Sequence, residues 1–447
     1  MEKQTLAGEN DKAARSITII RELLNDESFK DEHRTFYNFF TRKYKLDFVA
    51  VILIILQKSI KPLQLVLNEF FKKLDNGILV TKSAFTQARR HLKPEAFVTL
   101  NQKAVLDVLY ASNRFENAWG FRLLAIDGSK IHLPNVPEIN DEFGTINFTN
   151  GKNNKIIGQH GYGLISVMYD VLNKIVILAV LAPAKAYEVD LALEHIKHTQ
   201  DGDLILFDRN YPSYIFLASL TKLGRHFTGR CSKTSFKAAR DMFKQQVTNS
   251  NIVTLKAEGE VKKKCQKLGL PEKITVRFVR VRLSTGEIEV LVTSLLDEKK
   301  YSALMFKELY NLRWGVECFL GVIKERLKID NFTGKTVISV KQDFFAIMFL
   351  TGLESLLTKA ADSQLFKKSS LNKHRQTVNN MVSFNAIKNF MVELFYHCEP
   401  IQKLMTTLTE WFVKDPTYTK RNRKVPRKKS SARVSLNYYK RIYKPCF

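Results

Sequence analysis

The chain is short of cysteine, of long apolar runs and of acids. Among its 447 residues there are five cysteines, at 231, 265, 318, 398 and 446, with no C-x-x-C pair. That spacing argues against a disulfide framework and against a cysteine-rich zinc site. The longest unbroken apolar run, Phe48–Leu56, has nine residues, whereas a bilayer span needs about 20. The opening residues MEKQTLAGENDKAARS are polar and carry no signal-peptide core. Together these shortages predict a soluble, cytoplasmic chain with no membrane partner. Asp plus Glu number 44 against 71 Lys plus Arg, a formal net charge of +27. An excess of that size points to a polyanionic partner, nucleic acid or an anionic membrane surface, and says nothing about fold.

What is present is ordinary globular material. Apolar residues make up 45%, and the length admits roughly two to four folding units with a sizeable core. Residues 1–115 read as a helical domain: FVAVILIILQKSIKPLQLVLNEFFKKL has helix-length apolar segments without strand alternation. VTKSAFTQARRHL then starts a new helix, with Thr81 or Ser83 as N-cap and Lys82, Gln87, Arg89 and Arg90 expected on its exposed face. A short polar helix following another helix is compatible with helix-turn-helix contact to DNA, or equally with a small bundle that has a solvated face.

The texture changes at Gly120. FRLLAID (121–127) is a strand that ends on an acid, and GYGLISVMYD (161–170) and KIVILAVLA (174–182) form a hairpin around Asp170–Asn173. A helix from Glu188 to His198, the strand DLILFD (203–208), a helix over 212–223 with Pro212 near its first turn, and the strand RHFTGR (225–230) follow. Strands interleaved with helical crossovers make 120–230 an α/β core of mixed α+β character. Residues 231–300 read as a β-rich insertion. KITVRFVRVRLSTGEIEVLVTSL alternates on both sides of Ser284–Gly286, with Arg277 and Arg280 or Arg282 on the wet face. Helix resumes at Ala303 and runs through Leu327, so 301–360 is helical, and 361–447 is a helical and then basic region. Lys414–Phe447 holds 12 Lys or Arg and one acid. Such a segment binds phosphates without reading sequence, or serves as a solubilising tail.

Three acids stand out. Asp127 and Asp208 each close a hydrophobic strand, where ligands gather in α/β sheets. If the two strands are neighbours, the carboxylates converge and call for a hard divalent cation between them. The plainer reading makes each a turn former. Glu317 shares its helix with Tyr310, Arg313 and Lys324 at offsets that place all four on one face. This is either a surface salt-bridge pattern or a metal ligand framed by phosphate-binding bases, Arg313 as a fork and Lys324 as a point charge. His132 and His160 read as structural or DNA-facing rather than as bases.

On these residues the chain resembles the DDE transposases of bacterial insertion sequences, the insertion-sequence-four-like group marked by Y-x2-R-x3-E-x6-K. The signature stands complete as YNLRWGVECFLGVIK, Tyr310–Lys324, with the first acid in LLAIDGSKIHL and the second in LILFDRNYPS. The second motif departs by one residue from the family's DRGY, since Asn210 stands where Gly is usual. The resemblance covers roughly 120–230 and 300–350.

It implies an RNase H-like catalytic core, interrupted by the insertion, with Asp127, Asp208 and Glu317 as a triad holding two Mg²⁺ ions (Mn²⁺ substituting). It also implies that Tyr310, Arg313 and Lys324 contact DNA near the cleaved phosphate. The activity implied is cut-and-paste transposition through a hairpin intermediate, by a homodimer bound to element inverted repeats and target DNA in the nucleoid. The rival readings are a nuclease with the same core and no strand transfer, and a DNA-binding relative without catalysis. Relatives carry a Trp in the insertion that stacks on a flipped base. This chain has Trp only at 119, 314 and 411.

Overall fold

The structure is a computed structural model that describes residues 2–41, 45–58, 61–74, 79–112, 114–149, 156–244, 249–283 and 286–419, with backbone alone at 2–7, 148, 149 and 157. The basic stretch 420–447 and part of the Ser284–Gly286 turn lie outside the described residues. The chain divides into two compact units. One gathers Met1–Arg114, Ile131–Tyr162 and Val322–Phe447, the other Phe115–Lys130 and Gly163–Gly321.

Nine strands are used below: β1 (Arg122–His132), β2 (Thr145–Thr149), β3 (Ile156–Asp170), β4 (Ile175–Pro183), β5 (Asp203–Phe207), β6 (His226–Arg230), β7 (Ser250–Lys256), β8 (Lys273–Arg282) and β9 (Ile288–Thr293). The second unit is a mixed sheet in the order β4-β3-β1-β5-β6-β9-β8-β7. β3 and β4 form the expected antiparallel hairpin. β1 also runs antiparallel to β3, since Val171 N donates to Leu123 O (3.1 Å) while, at the other end, Leu133 N donates to Gly161 O (2.9 Å). β5 and β6 then lie parallel to β1. Helices Glu188–His195 and Tyr214–Lys222 supply the connections that parallel neighbours require. Three antiparallel strands followed by two parallel ones give the RNase H-like core.

The sequence accounts for the central pairing. All five residues of β5, DLILF, are buried, as suits a strand covered on both faces. A buried fork pins its register: Arg122 Nε and Nη2 donate to Asp203 Oδ1 and Oδ2 at 2.7 and 2.8 Å, on the first rung, Arg122↔Asp203. The last rung is Ile126↔Phe207. Gly229 on β6 faces Phe207 so closely that a Cβ there would fall 1.8 Å from the ring. Only glycine lets the two strands approach with that aromatic between them.

Several local expectations are corrected. The helix after β5 starts at Tyr214 rather than at 212, with Ser213 as its N-cap, accepting from Phe216 N. β1 continues through Asp127 to His132, so Asp127 lies inside the strand, one residue past the last β1–β5 rung. A short helix, Pro137–Phe143, and β2 stand between β1 and β3 where the sequence offered no reading. Residues 231–300 hold helices Lys237–Phe243 and Gly259–Leu268 as well as three strands. Those strands extend the same sheet, because β9 pairs antiparallel with β6. Arg277 is not on a wet face. It is 1% exposed, donating from Nε to Ser250 Oγ (2.8 Å) and from Nη1 to Tyr301 O (2.6 Å), because the segment after β9 covers it.

The helix expected from Ala303 to Leu327 is broken in two places. Met305–Leu312 and Trp314–Gly321 are α-helical with Arg313 at their junction, and Val322–Arg326 forms a wider π turn in the first unit. Lys324 lies in that π turn, where the 3.6-residue phase no longer applies.

Within the first unit the described residues up to Arg114 are helical, as the helix-length apolar segments of 1–115 predict. Asp47 caps Phe48–Leu56, and Thr81 caps Lys82–Arg89 by accepting from Ala84 N. Arg89 is the exception on that second helix. It is 2% exposed and engages Asp343, Gln342 and Thr333, so only Lys82, Gln87 and Arg90 remain on the open face. One helix among the described residues, Val337–Lys368, is long and apolar enough to cross a membrane by length and composition, but 83% of its most apolar window is buried inside the fold. That is the pattern of a core helix.

Candidate active site

Asp127 and Asp208 each follow the last rung of the β1–β5 pair, Ile126↔Phe207. Parallel neighbours in register point their side chains the same way, about 4.8 Å apart. The two acids thus stand next to the last rung of neighbouring strands, and the charge of Asp208 bears on Asp127. The Gly128 N–H binds Asp127 Oδ1 at 2.9 Å. Asp208 Oδ1 lies 2.9 Å from Arg230 Nη2, off the line a hydrogen bond requires, and is buried without a hydrogen-bond partner. Arg230 also binds Glu289 Oε1 at 2.7 Å.

Glu317 reaches the pair through Arg313. The Arg313 guanidinium is 2% exposed, donates from Nη2 to Glu317 Oε1 at 2.5 Å, and has Nη1 4.0 Å from Asp127 Oδ2. Burial works against its charge, but Tyr310, the Glu317 bond and Asp208 outweigh burial and raise its pKa. Its Nε and Nη1 have no hydrogen-bond acceptor. Tyr310 lies beneath it, 5.4 Å from ring centroid to guanidinium carbon, and its hydroxyl reaches Phe207 O at 3.4 Å. Five of the six sequence candidates thus belong to one unit, and Lys324 falls in the other. His132 and His160 lie in the first unit, where His132 Nε2 meets the Tyr162 hydroxyl at 2.9 Å.

Four further residues join this site that pattern reading passed over: Glu188, Tyr211, Arg230 and Glu289. Tyr211 stands inside the quoted DRNY motif and is 1% exposed, its hydroxyl lacking a partner. Burial first, then the charges of Asp127, Glu188 and Asp208, push its ionisation upward. Glu188 opens the helix after β4, and a Cβ on Gly128 would stand 3.2 Å from its carboxyl carbon. No periodicity signals either contact, because tertiary pairing alone brings these segments together.

The charge balance bears on a cation. Asp127, Asp208, Glu188, Glu317 and Glu289 are opposed by two guanidinium groups, Arg230 and Arg313. Such an excess of hard oxygen donors, one of them a buried acceptor with no donor, fits a divalent cation. Among the described residues no three His, Cys, Asp or Glu side chains stand close enough to hold an ion as they are. Arg313 occupies the place between Glu317 and the aspartates.

Burial raises the Asp127 carboxyl to about 6, against the pull of the Gly128 N–H and Arg313. With its folded pKa above the unfolded value, the folded chain binds more protons between about pH 4 and 6, so stability falls as pH rises through that window. Metal-free Asp127→Asn is therefore expected to be more stable than the parent at pH 7, by on the order of 2–3 kcal/mol, and so to melt higher, with the gap closing toward pH 4. Thermal melts across pH 4–8 check this. A gap that does not vary with pH would refute it.

Residues 118–353, just over half of the chain, match the family described as the transposase DDE domain. Over 299 residues the chain is 26% identical to "Transposase InsG for insertion sequence element IS4" of Escherichia coli (strain K12), covering 66% of this chain and 65% of that protein. It is 28% identical over 152 residues to "Putative transposase InsZ" of the same organism, covering 33% of this chain and 49% of the other. The chain thus spans less than two thirds of either relative. A cryo-EM structure of a piggyBac transposase synaptic complex with hairpin DNA covers 90% of this chain, and this chain 82% of it in turn, at 10% identity and TM-score 0.44, too slight a likeness to carry an argument.

Proposed function

The chain belongs to the transposase DDE-domain family, and from that premise we propose that it is an insertion-sequence transposase that cuts and rejoins DNA at element ends. The observation that carries the reading is the side-by-side placement of Asp127 and Asp208 beyond the rung Ile126↔Phe207, with Glu317 tied to them through one guanidinium. The residues that would hold divalent ions, Mg²⁺ with Mn²⁺ as substitute, are Asp127, Asp208 and Glu317. Two such ions supply activation of an oxygen nucleophile and stabilisation of the leaving oxygen in an in-line displacement.

The remaining work falls to the chain itself. Arg313 has two buried donors, Nε and Nη1, with no acceptor. A phosphate oxygen satisfies such donors, and a guanidinium suits it geometrically. Turning to the phosphate would free the Glu317 carboxylate from Arg313. Tyr310 holds the underside of that guanidinium. Lys324 enters as a phosphate contact on the resemblance alone. Because each step is the same displacement with a different oxygen nucleophile, one site serves nicking, hairpin formation, hairpin opening and strand transfer. The helices of 1–115 and the basic residues 414–447 provide the duplex contacts, in a homodimer that holds both ends in the nucleoid.

The test uses short inverted repeats flanking the coding region. Incubated with these ends, target DNA and Mg²⁺, the protein is expected to yield joined products. Cleavage without joining would make it a nuclease, and binding without cleavage would make it a non-catalytic relative.

A further inference from the structure

Residues 34–40, between the helices Glu27–His33 and Phe48–Leu56, carry two large rings into solvent. Phe36 is 66% exposed and Tyr37 82%. A single exposed ring needs no explanation. Here two are adjacent, and the turn beneath them is built to hold them out. Thr35 N donates to His91 O at 2.9 Å, and Arg34 Nη1 donates to Phe39 O at 2.9 Å. Phe39 stacks on His91, with ring centroids 3.5 Å apart and planes 17° from parallel. Phe40 packs edge-on against the buried Phe48. Phe40 also takes a φ of +57°, a left-handed conformation that a bulky residue keeps only when its surroundings impose it. Phe36 leans on Phe39 at 5.8 Å, so a ladder of rings runs from His91 through Phe39 to Phe36. His91 follows Arg90 at the end of the helix Lys82–Arg89, whose open face carries Lys82, Gln87 and Arg90.

Charge indicates what the rings meet. Residues 34–45, RTFYNFFTRKYK, hold five aromatics, four Lys or Arg and no acid. Arg34 pairs with Asp31 at 2.5 Å, and Lys45 is exposed. Arg42 and Lys43 lie outside the described residues. Rings interleaved with cations make a surface that stacks on bases while the cations hold phosphates. We infer that Phe36 and Tyr37 are a stacking tip for DNA, set against a nucleobase at an opened or kinked step of the duplex. The inference rests on the transposase reading above and adds a contact that none of its residues supplies. Such a tip reads no sequence, because every base has a π-face. It favours a duplex that opens at the step it reaches.

Fluorescence anisotropy of the full chain with labelled inverted-repeat duplex tests this, alongside sedimentation of the chain without DNA. Phe36→Ala with Tyr37→Ala is expected to weaken binding on the order of 5–100-fold. The slope of log affinity against log salt should stay at the parent value, since no phosphate contact is lost. Arg90→Ala, by contrast, is expected to reduce that slope by about 1. The exchanged pair, Phe36→Tyr with Tyr37→Phe, keeps both rings and is expected to bind as the parent does. Parent affinity in the alanine pair would overturn the assignment and leave the transposase reading standing. A parent chain that binds no duplex would overturn that reading itself. Loss of self-association in the alanine pair, with DNA affinity unchanged, would give the rings to a second copy of the chain instead.

Discussion

Replacing Asp127 or Asp208 by Asn, or Glu317 by Gln, is expected to abolish strand cleavage while DNA binding persists. Each change keeps shape and removes one negative charge, so the overall charge rises from +27 and attraction to the phosphate backbone is not weakened. What is lost is an oxygen ligand at the reacting phosphate. Metal assistance contributes several kcal/mol to such displacements, and each 1.4 kcal/mol is tenfold, so cleavage should fall by about 10³-fold or more. Nicking of labelled element ends, read beside a gel-shift titration, separates the two effects. Normal cleavage by any one variant would remove that residue from the triad. Loss of binding in all three would mean that the acids hold the fold together rather than the ion.

The second large effect concerns stability. Arg89→Met is expected to destabilise the helical unit by about 3–5 kcal/mol, the usual consequence of leaving one partner of a buried ion pair alone. Arg89 Nη2 meets Asp343 Oδ1 at 2.9 Å, with side-chain exposures of 2% and 0%. Nε donates to Gln342 at 2.9 Å and Nη1 to Thr333 at 2.8 Å. Removing the guanidinium strands the Asp343 charge in the core. The double change Arg89→Met with Asp343→Leu is expected to recover most of the loss, because apolar groups of similar volume replace buried pairs at little net cost. Urea unfolding measures both. An unchanged midpoint in the single variant would refute the estimate. Arg90, which is exposed, supplies the contrast: its loss should weaken DNA binding and leave stability alone.

The sequence made the core strands, their order and the hairpin legible, because β-prone runs bounded by turns carry their own signal. The adjacency of Asp127 and Asp208 was legible only as a condition, and the register Ile126↔Phe207 meets it. Arg89 and Arg277 were misread for one reason. Each sits at a position whose own element predicts exposure, and each is covered by a distant segment that brings its partners: Gln342 and Asp343 for the first, Tyr301 for the second. A helical or strand period records one element's face and not what later packs against it. Glu188 and Tyr211 escaped notice likewise, since their meeting with Asp127 depends on the sheet order. The break at Arg313 and the π turn at Val322–Arg326 were hidden because an apolar period tolerates a one-residue irregularity.

The pairing of β9 with β6, Thr228↔Thr293, gives residues 231–300 an unusual freedom. After β6 the chain adds β7 and β8 further out in the sheet and comes back in β9, antiparallel along β6, so the segment begins and ends at one strand. Whatever lies between is a cassette plugged into a socket. The two acids sit inward of β6, Asp208 at the end of the adjacent β5 and Asp127 on β1 one strand further, and do not feel its length. Relatives could exchange the part of this cassette that precedes β9, and with it the surface offered to DNA, while β9 keeps Glu289 on Arg230 beside the acids.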